Sequence, residues 1–297
     1  MDHHQRHAYL IMAHHNFGQL KILVDLLDDP RNDIYIHIDK KSSTFDPDTI
    51  TTKHAALYFV PPMSVTWGGH RQIMCEMNLF RNAAPKHYMY YHLLSGVDLP
   101  IKTQDEIHAF FREHAGQNFM EIDQNAMATG SFLSRVKYYY LFQNILGKNM
   151  ITENPPPVMR LIRKAQTLFV LIQQLIHYQR KEWIPYYKGA NWVSITDDLL
   201  QYVLTSEKTI KKMFYYTIAA DEVFLQTIAM SSPYRDTIVE NYYREIDWSD
   251  GFPHIYRKED IPQLLRSPAF FARKFDMTVD PDAIRLVAAH LTGDTPV

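Results

Sequence analysis

Two apolar runs separated by one amphipathic helix open this chain, and that order leaves few folds available. Ala8-Tyr9-Leu10-Ile11-Met12-Ala13 reads as a buried strand ended by His14-His15-Asn16. Leu20, Leu23, Val24 and Leu27 then recur at helical spacing over residues 19–27, and Asp28-Asp29-Pro30 stops that helix. Ile34-Tyr35-Ile36-His37-Ile38-Asp39 is a second strand, so the opening is β-α-β: a parallel pair joined by a right-handed crossover. The alternation continues with a strand at 57–60, a helix at 70–83, a strand at 88–94 ended by Ser95-Gly96-Val97-Asp98-Leu99-Pro100, and a helix at 104–113. An α/β fold with an open, mostly parallel sheet flanked by helices is expected. Ligands of such sheets bind at the carboxyl ends of the strands, where this chain carries His14, His15, Asp39, Ser95 and Asp98.

At 297 residues and 46% apolar content the chain suits one large domain or two small ones, and a single compact domain with a helical insertion is expected. The net charge of −2 gives no positive field for nucleic acid. The one cysteine, Cys75, excludes an internal disulfide and a multi-cysteine zinc site, and fits a reducing cytoplasm. The polar start and the lack of an 18-residue apolar run predict neither a signal peptide nor a membrane span; the nearest run, 167–178, contains Gln173, Gln174 and His177. The 19 tyrosines suit either a Tyr-rich core or a sugar-stacking surface.

The pattern changes over 125–187. Arg135, Lys137 and Tyr138-Tyr139-Tyr140 form a basic aromatic patch, Pro155-Pro156-Pro157 interrupts the chain, and 158–183 reads as an amphipathic helix with Arg160, Arg163, Lys164, Arg180 and Lys181. It is either an ordinary surface helix or one lying on anionic lipid. Beyond it come a strand at 190–195, a helix at 197–204 and a helix at 221–228.

That last helix begins with Asp221-Glu222. The helix macrodipole favours carboxylates there, so capping accounts for one acid better than for two. Downstream, Phe270, Phe271 and Phe275 frame Arg273-Lys274. The pair is either a surface pair at a helix end or a partly buried one, and buried cations need an anion. One acid to take a proton and two cations to hold a leaving phosphate suffice for group transfer from a nucleotide-activated donor. An Asp-x-Asp metal site after a buried strand is lacking: Asp46-Pro47-Asp48 and Asp280-Pro281-Asp282 read as proline turns, and Asp39 is followed by the repelling Lys40 and Lys41. His3, His4, His7, His14 and His15 lack helical ligand spacing, and the first three read as tail. With no metal, Arg273 as a bidentate donor and Lys274 as a point charge suit a diphosphate. Trp67-Gly68-Gly69 allows backbone to approach a flat ligand against an indole wall, or is a turn beside a core Trp. Glycine-rich and Walker phosphate loops and a Gly-x-Ser-x-Gly elbow are absent.

Seven ordered blocks resemble the core-2/I-branching β-1,6-N-acetylglucosaminyltransferase and peptide O-xylosyltransferase family: 8–15, 36–42, Val65-Thr66-Trp67-Gly68-Gly69, 94–101, Gly189-Ala190-Asn191-Trp192, Ala220-Asp221-Glu222 and 272–276. The resemblance implies a GT-A-like fold and an inverting, metal-independent glycosyltransferase using a UDP-sugar, with GlcNAc or xylose as the sugar. It implies Glu222 as general base, and Arg273, Lys274 and Arg257 on the diphosphate. Met12, His14, Asp39, Lys41, Trp67 and Gly68 would line the nucleotide pocket. Asp98, Asp221, Trp192 and Trp248 would face sugar or acceptor, with Asp221 the helix cap and structural partner. On this reading 1–115 is the nucleotide-binding half, 125–187 a variable insertion and 188–297 the acceptor and catalytic part. The expected partners are a UDP-sugar donor and a glycan or lipid-linked glycan acceptor, with no metal or cofactor, and peripheral contact of 158–183 with the inner face of a membrane. A catalytically silent nucleotide- or glycan-binding protein, and a metal-dependent transferase using Asp46 or Asp48, are the alternatives.

Overall fold

The structure, a computed structural model, describes residues 5–249 and 251–293; His3 and His4 lie outside the described residues. In chain order its first half comprises β1 (His7–Ala13), α1 (Phe17–Leu27), β2 (Asn32–Ile38), β3 (Ala56–Phe59), α2 (His70–Ala83), β4 (Tyr90–Ser95), β5 (Leu99–Pro100), α3 (Gln104–Glu113) and β6 (Asn118–Phe119). Next come α4 (Gln124–Thr129), α5 (Leu133–Lys137), α6 (Gln143–Leu146) and α7 (Pro157–Leu175). The remainder holds β7 (Ser194–Thr196), α8 (Asp197–Thr205), α9 (Glu207–Phe214), α10 (Asp221–Met230), β8 (Ile238–Val239), β9 (Arg244–Ile246), α11 (Ile261–Leu264), β10 (Phe271–Arg273) and α12 (Pro281–Thr292).

Seven strands form one sheet in the order β3-β2-β1-β4-β7-β6-β8. The pairs β1–β2, β1–β4, β2–β3 and β6–β8 are parallel, whereas β7 runs antiparallel to both β4 and β6. The expected α/β class, with a mostly parallel sheet between helices, is what is found. Alternation along β1 divides the core: Ala8 and Leu10 pack with α2, α8 and α10, while Tyr9, Ile11 and Ala13 pack with α1, α3 and α12. Burying each large apolar side chain on either face contributes about 1.5–3 kcal/mol. Strand order reverses at β1/β4, which opens a crevice at the carboxyl ends of those strands. A small second sheet, β5-β10-β9, stands beside that crevice.

Four expectations change. His7 is not tail: it is the first residue of β1, fully buried, stacked on His108 at 4.0 Å and 3.0 Å from His92 Nε2. Burial first, then those two histidines, lower its pKa and keep the ring neutral inside the core. The Asp280-Pro281-Asp282 run is no mere turn, because Asp280 accepts from the amides of Asp282 and Ala283 and caps α12 with Pro281 in its first turn. The strand expected over 190–195 shrinks to Ser194–Thr196, since the Ala190 amide and carbonyl are taken by the side chains of Glu121 and Gln226. The helix expected to reach residue 183 stops at Leu175. There His177 takes φ 54°, and the amides of His177 and Tyr178 close on the carbonyls of Gln174 and Gln173 in a Schellman motif.

Candidate active site

Three strand ends and two loops converge at the crevice. Beyond β1, the rings of His14 and His15 lie 4.2 Å apart, tilted by 40°. Beyond β2, Asp39 accepts from the Lys41 amide at 2.9 Å and lies 3.4 Å from Lys41 Nζ, which also donates to the Val65 carbonyl at 2.6 Å. Lys41 thereby ties the end of β2 to the segment carrying Trp67, whose indole is 36% exposed beside the crevice. Met12 is half-buried at the end of β1. These residues border the crevice where the nucleotide pocket is expected.

Gly68 earns its glycine at φ 64°. Its amide donates to Gln72 Oε1 at 3.0 Å and its carbonyl accepts from the Ala219 amide at 2.8 Å. The same Gln72 donates through Nε2 to Asp221 Oδ2 at 2.5 Å. One amide side chain on α2 therefore fastens the Trp67 loop to the start of α10. Asp221, expected as a cap that also faces sugar or acceptor, is buried at 7% exposure and is not the cap: Ala220 occupies the N-cap position with no side-chain bond, and the carboxylate is drawn to Gln72 instead. Burial, then neighbouring Glu222, raise the Asp221 pKa to about 7. One turn beyond Gln72 on α2, Glu76 is fully buried, and burial followed by Asp221 raises its pKa as well.

Glu222 differs from its neighbour. Its side chain is 35% exposed and accepts from Arg135 Nη1 at 2.8 Å, and its carbonyl accepts from the Gly189 amide at 3.0 Å. Gly189 has no room for a side chain, because a Cβ there would lie 1.8 Å from the Glu121 carbonyl oxygen. From Gly189 the chain runs to Trp192, whose ring lies 4.7 Å below the Arg273 guanidinium. Those three residue steps span at most about 11 Å, so the acid and the cation are held by opposite ends of one short segment.

Arg273 ends β10; the pair is on a strand end, not a helix end. Arg273 Nη1 donates to Asp98 Oδ1 at 2.9 Å, and Asp98 Oδ2 accepts from the Ser95 amide at 2.8 Å. With 2% exposure and both oxygens bonded, Asp98 supports Arg273 and presents no surface to a sugar. Burial raises the Asp98 pKa, and Arg273 opposes that rise. Lys274 is half-buried, and its backbone pairs with His254 and Tyr256, which sets Arg257 one residue beyond this pairing. Among the described residues the Lys274 ammonium has no hydrogen bond or ion pair. Its field lowers the pKa of His15, after burial, and Lys148 acts on both His14 and His15. His14 falls to about 4, from burial first and then from His15. Lys148 thus acts on both histidines, and Arg273 and Lys274 on His15, a cationic rim suited to an anion. Trp248, 55% exposed, lies two residues past Ile246, the register partner of Arg273.

No group of three His, Cys, Asp or Glu side chains suited to a metal gathers among the described residues. Asp46 instead accepts from the Asp48 amide within a short 3-10 turn. Arg135, Gln72, Glu76 and Lys148 escaped the sequence reading as site residues. Arg135 is 87 positions from Glu222 and Gln72 is 149 from Asp221, so no local spacing could pair them.

A family model described as core-2/I-branching enzyme matches residues 7–268. Xylosyltransferase 2 of Rattus norvegicus is 23% identical over 320 residues, covering 98% of this chain and 34% of its own length. Xylosyltransferase 2 of Homo sapiens is 24% identical with the same coverage. Xylosyltransferase 1 of Homo sapiens is 23% identical over 296 residues, covering 88% of this chain and 28% of its own length. The chain spans about a third of the length of the curated relatives it matches.

Proposed function

The chain belongs to the core-2/I-branching enzyme family, and on that footing we propose that it is an inverting glycosyltransferase of GT-A type. It moves xylose or N-acetylglucosamine from a UDP-sugar to a hydroxyl of a glycan or glycoconjugate. Glu222 takes the proton from the acceptor hydroxyl as that oxygen attacks the anomeric carbon. The bond from that carbon to the diphosphate oxygen breaks in the same displacement, and UDP leaves with its new charge against Arg273 and Lys274, with Arg257 close by. These cations do the work of a divalent metal, so no metal is needed. The observation that carries this reading is the segment from Gly189 to Trp192, which holds Glu222 by its backbone and carries the ring under Arg273. The names of the relatives favour xylose.

A positioned base contributes about 10²–10⁴-fold and a preorganised charge-stabilising donor about 3–4 kcal/mol. Release of UDP from UDP-xylose and UDP-GlcNAc, measured with a glycan acceptor panel with and without EDTA, tests the proposal. Turnover that survives EDTA and falls about 100-fold or more in Glu222→Gln, at nearly unchanged UDP affinity, supports it. Near-normal turnover in that variant removes Glu222 from the role, and loss with EDTA removes the metal-free mechanism. The Arg135 ion pair on Glu222 favours a second reading, a nucleotide- or glycan-binding protein without turnover. UDP binding without release from any donor would decide for it.

A further inference from the structure

The helix α7 encloses polar side chains and leaves much of its apolar surface exposed. Its two fully enclosed side chains are polar: Gln166 Oε1 accepts from the Phe142 amide at 2.8 Å, and Gln173 Oε1 accepts from the Tyr139 amide at 2.8 Å. Gln173 Nε2 also donates back to the Tyr139 carbonyl at 3.1 Å. The two glutamines satisfy the backbone at Phe142 and Tyr139, and Met159, Ile162, Phe169 and Val170 are half-buried on the same side of the helix. Val158, Leu161, Leu168, Ile172 and Leu175 are 45% to 79% exposed. At 100° per residue these five fall within an arc of about 100° centred about 120° from the glutamines, and Leu171, 54% exposed, widens it to about 140°. A globular helix normally buries such a stripe, and here nothing within the described chain covers it.

Charge selects the occupant. From residue 157 to 181 the chain has Arg160, Arg163, Lys164, Arg180 and Lys181 and no Asp or Glu, although the whole chain carries −2. Arg180 is spent inside, stacked 4.4 Å from the Tyr139 ring and donating to the Met213 carbonyl. Arg160 and Lys164 sit along one edge of the stripe, and a cavity of about 340 Å³ lined by Met150, Arg163, Lys164, Thr167, Leu168 and Leu171 lies beside it. Tyr178 and Trp183, both about half exposed, continue the patch past the end of α7. A second copy would set these cations against their own kind with no carboxylate on α7 to pair them. An anionic bilayer supplies both an acyl layer for the stripe and phosphates for its cationic edge.

We propose that α7 is a membrane-surface helix that docks this protein on anionic lipid. Its other side leads to the site: α7 rests on α6 and the turn after it, and Gln143 at the head of α6 donates to the Trp67 carbonyl at 3.1 Å. Docking would therefore hold the crevice near the bilayer surface, where a lipid-linked acceptor is presented. The docking itself does not depend on which sugar, if any, is transferred.

Co-sedimentation with vesicles of phosphatidylcholine, with and without 30% phosphatidylglycerol, tests this on the full chain. Binding to the anionic vesicles should exceed that to neutral ones by about tenfold, and the excess should fall with added salt. Leu161→Glu with Leu168→Glu should lower it about tenfold at unchanged melting temperature, because both side chains are exposed. Arg160→Gln with Lys164→Gln should remove the preference for anionic lipid. Binding equal on both vesicles, no binding to either, or a concentration-dependent dimer abolished by the leucine variants in place of vesicle binding would each overturn the proposal.

Discussion

Arg135 on α5 donates from Nη1 to Glu222 Oε2 at 2.8 Å and so holds the acid at the head of α10. The bond uses Glu222 Oε2 and leaves Oε1 without a bond among the described residues. Both side chains are about a third exposed, and such a pair contributes about 0–1 kcal/mol to stability. Its consequence is therefore kinetic. Arg135→Ala should lower kcat about tenfold, a fraction of what the base itself supplies, with unchanged donor KM and melting temperature. Steady-state kinetics against both substrates check this. A rise in kcat would instead make Arg135 a latch on the acid.

Arg273 and Lys274, the cations proposed for the diphosphate, should separate by their effect on stability. Asp98→Asn removes the charge partner of Arg273 inside the protein and should cost about 2 kcal/mol of stability together with UDP affinity. Lys274→Ala breaks no ion pair and should weaken UDP binding with no change in stability. Calorimetric titration with UDP, paired with urea unfolding of each variant, reads both quantities. Equal loss of stability in the two variants would contradict the division.

Asp221 should make stability fall as the solution turns from acid to neutral. Its folded pKa of about 7 lies above the ordinary carboxylate value of 3.8, so between those values the native protein binds a proton that the unfolded chain has lost. Stability contributed by this group is full below about pH 4, declines as pH rises, and levels off above the folded value. Asp221→Asn, which keeps an oxygen for Gln72, should be more stable than the parent by about 1–3 kcal/mol at pH 8 and no different at pH 4. Urea midpoints at the two pH values check this; a gap that widens toward acid would show the sign to be wrong.

Gly189 and Gly116 should fail differently as alanines. At Gly189 the new Cβ meets the Glu121 carbonyl at 1.8 Å, backbone that cannot rotate away, and about 3 kcal/mol or more should be lost. At Gly116 a Cβ meets nothing within 4 Å, but φ is +88°, so the loss should be about 1 kcal/mol from backbone conformation alone. Unfolding curves give both values. Gly189→Ala should also depress turnover, since the segment it anchors carries Trp192 beneath Arg273.

The β-α-β opening was plain because Leu20, Leu23, Val24 and Leu27 keep a period of 3.6 between two apolar runs. The limits of α2 and α3 follow the same kind of signal: a Thr103–Glu106 capping box starts α3, as such boxes do. Where side chains rather than periodicity set the structure, the reading slipped. Glu121 and Gln226 consume the hydrogen bonds that a strand through Ala190 would need, and neither is near it in sequence. His7 was misplaced because a histidine near a chain start looks polar, although as a neutral ring it stacks like an aromatic one.

Sequence alone determined the fold class and which residue types were available for chemistry, because hydrophobic period and composition are local properties of the chain. It named Glu222, Arg273 and Lys274 by block order, but it could not tell Asp221 from Glu222 by environment or see Asp98 turned inward to Arg273. Tertiary structure decided those matters. Burial and ion pairing depend on which distant segments meet, as when Gln72 reaches Asp221, Arg135 reaches Glu222, and two glutamines of α7 reach the backbone at Phe142 and Tyr139.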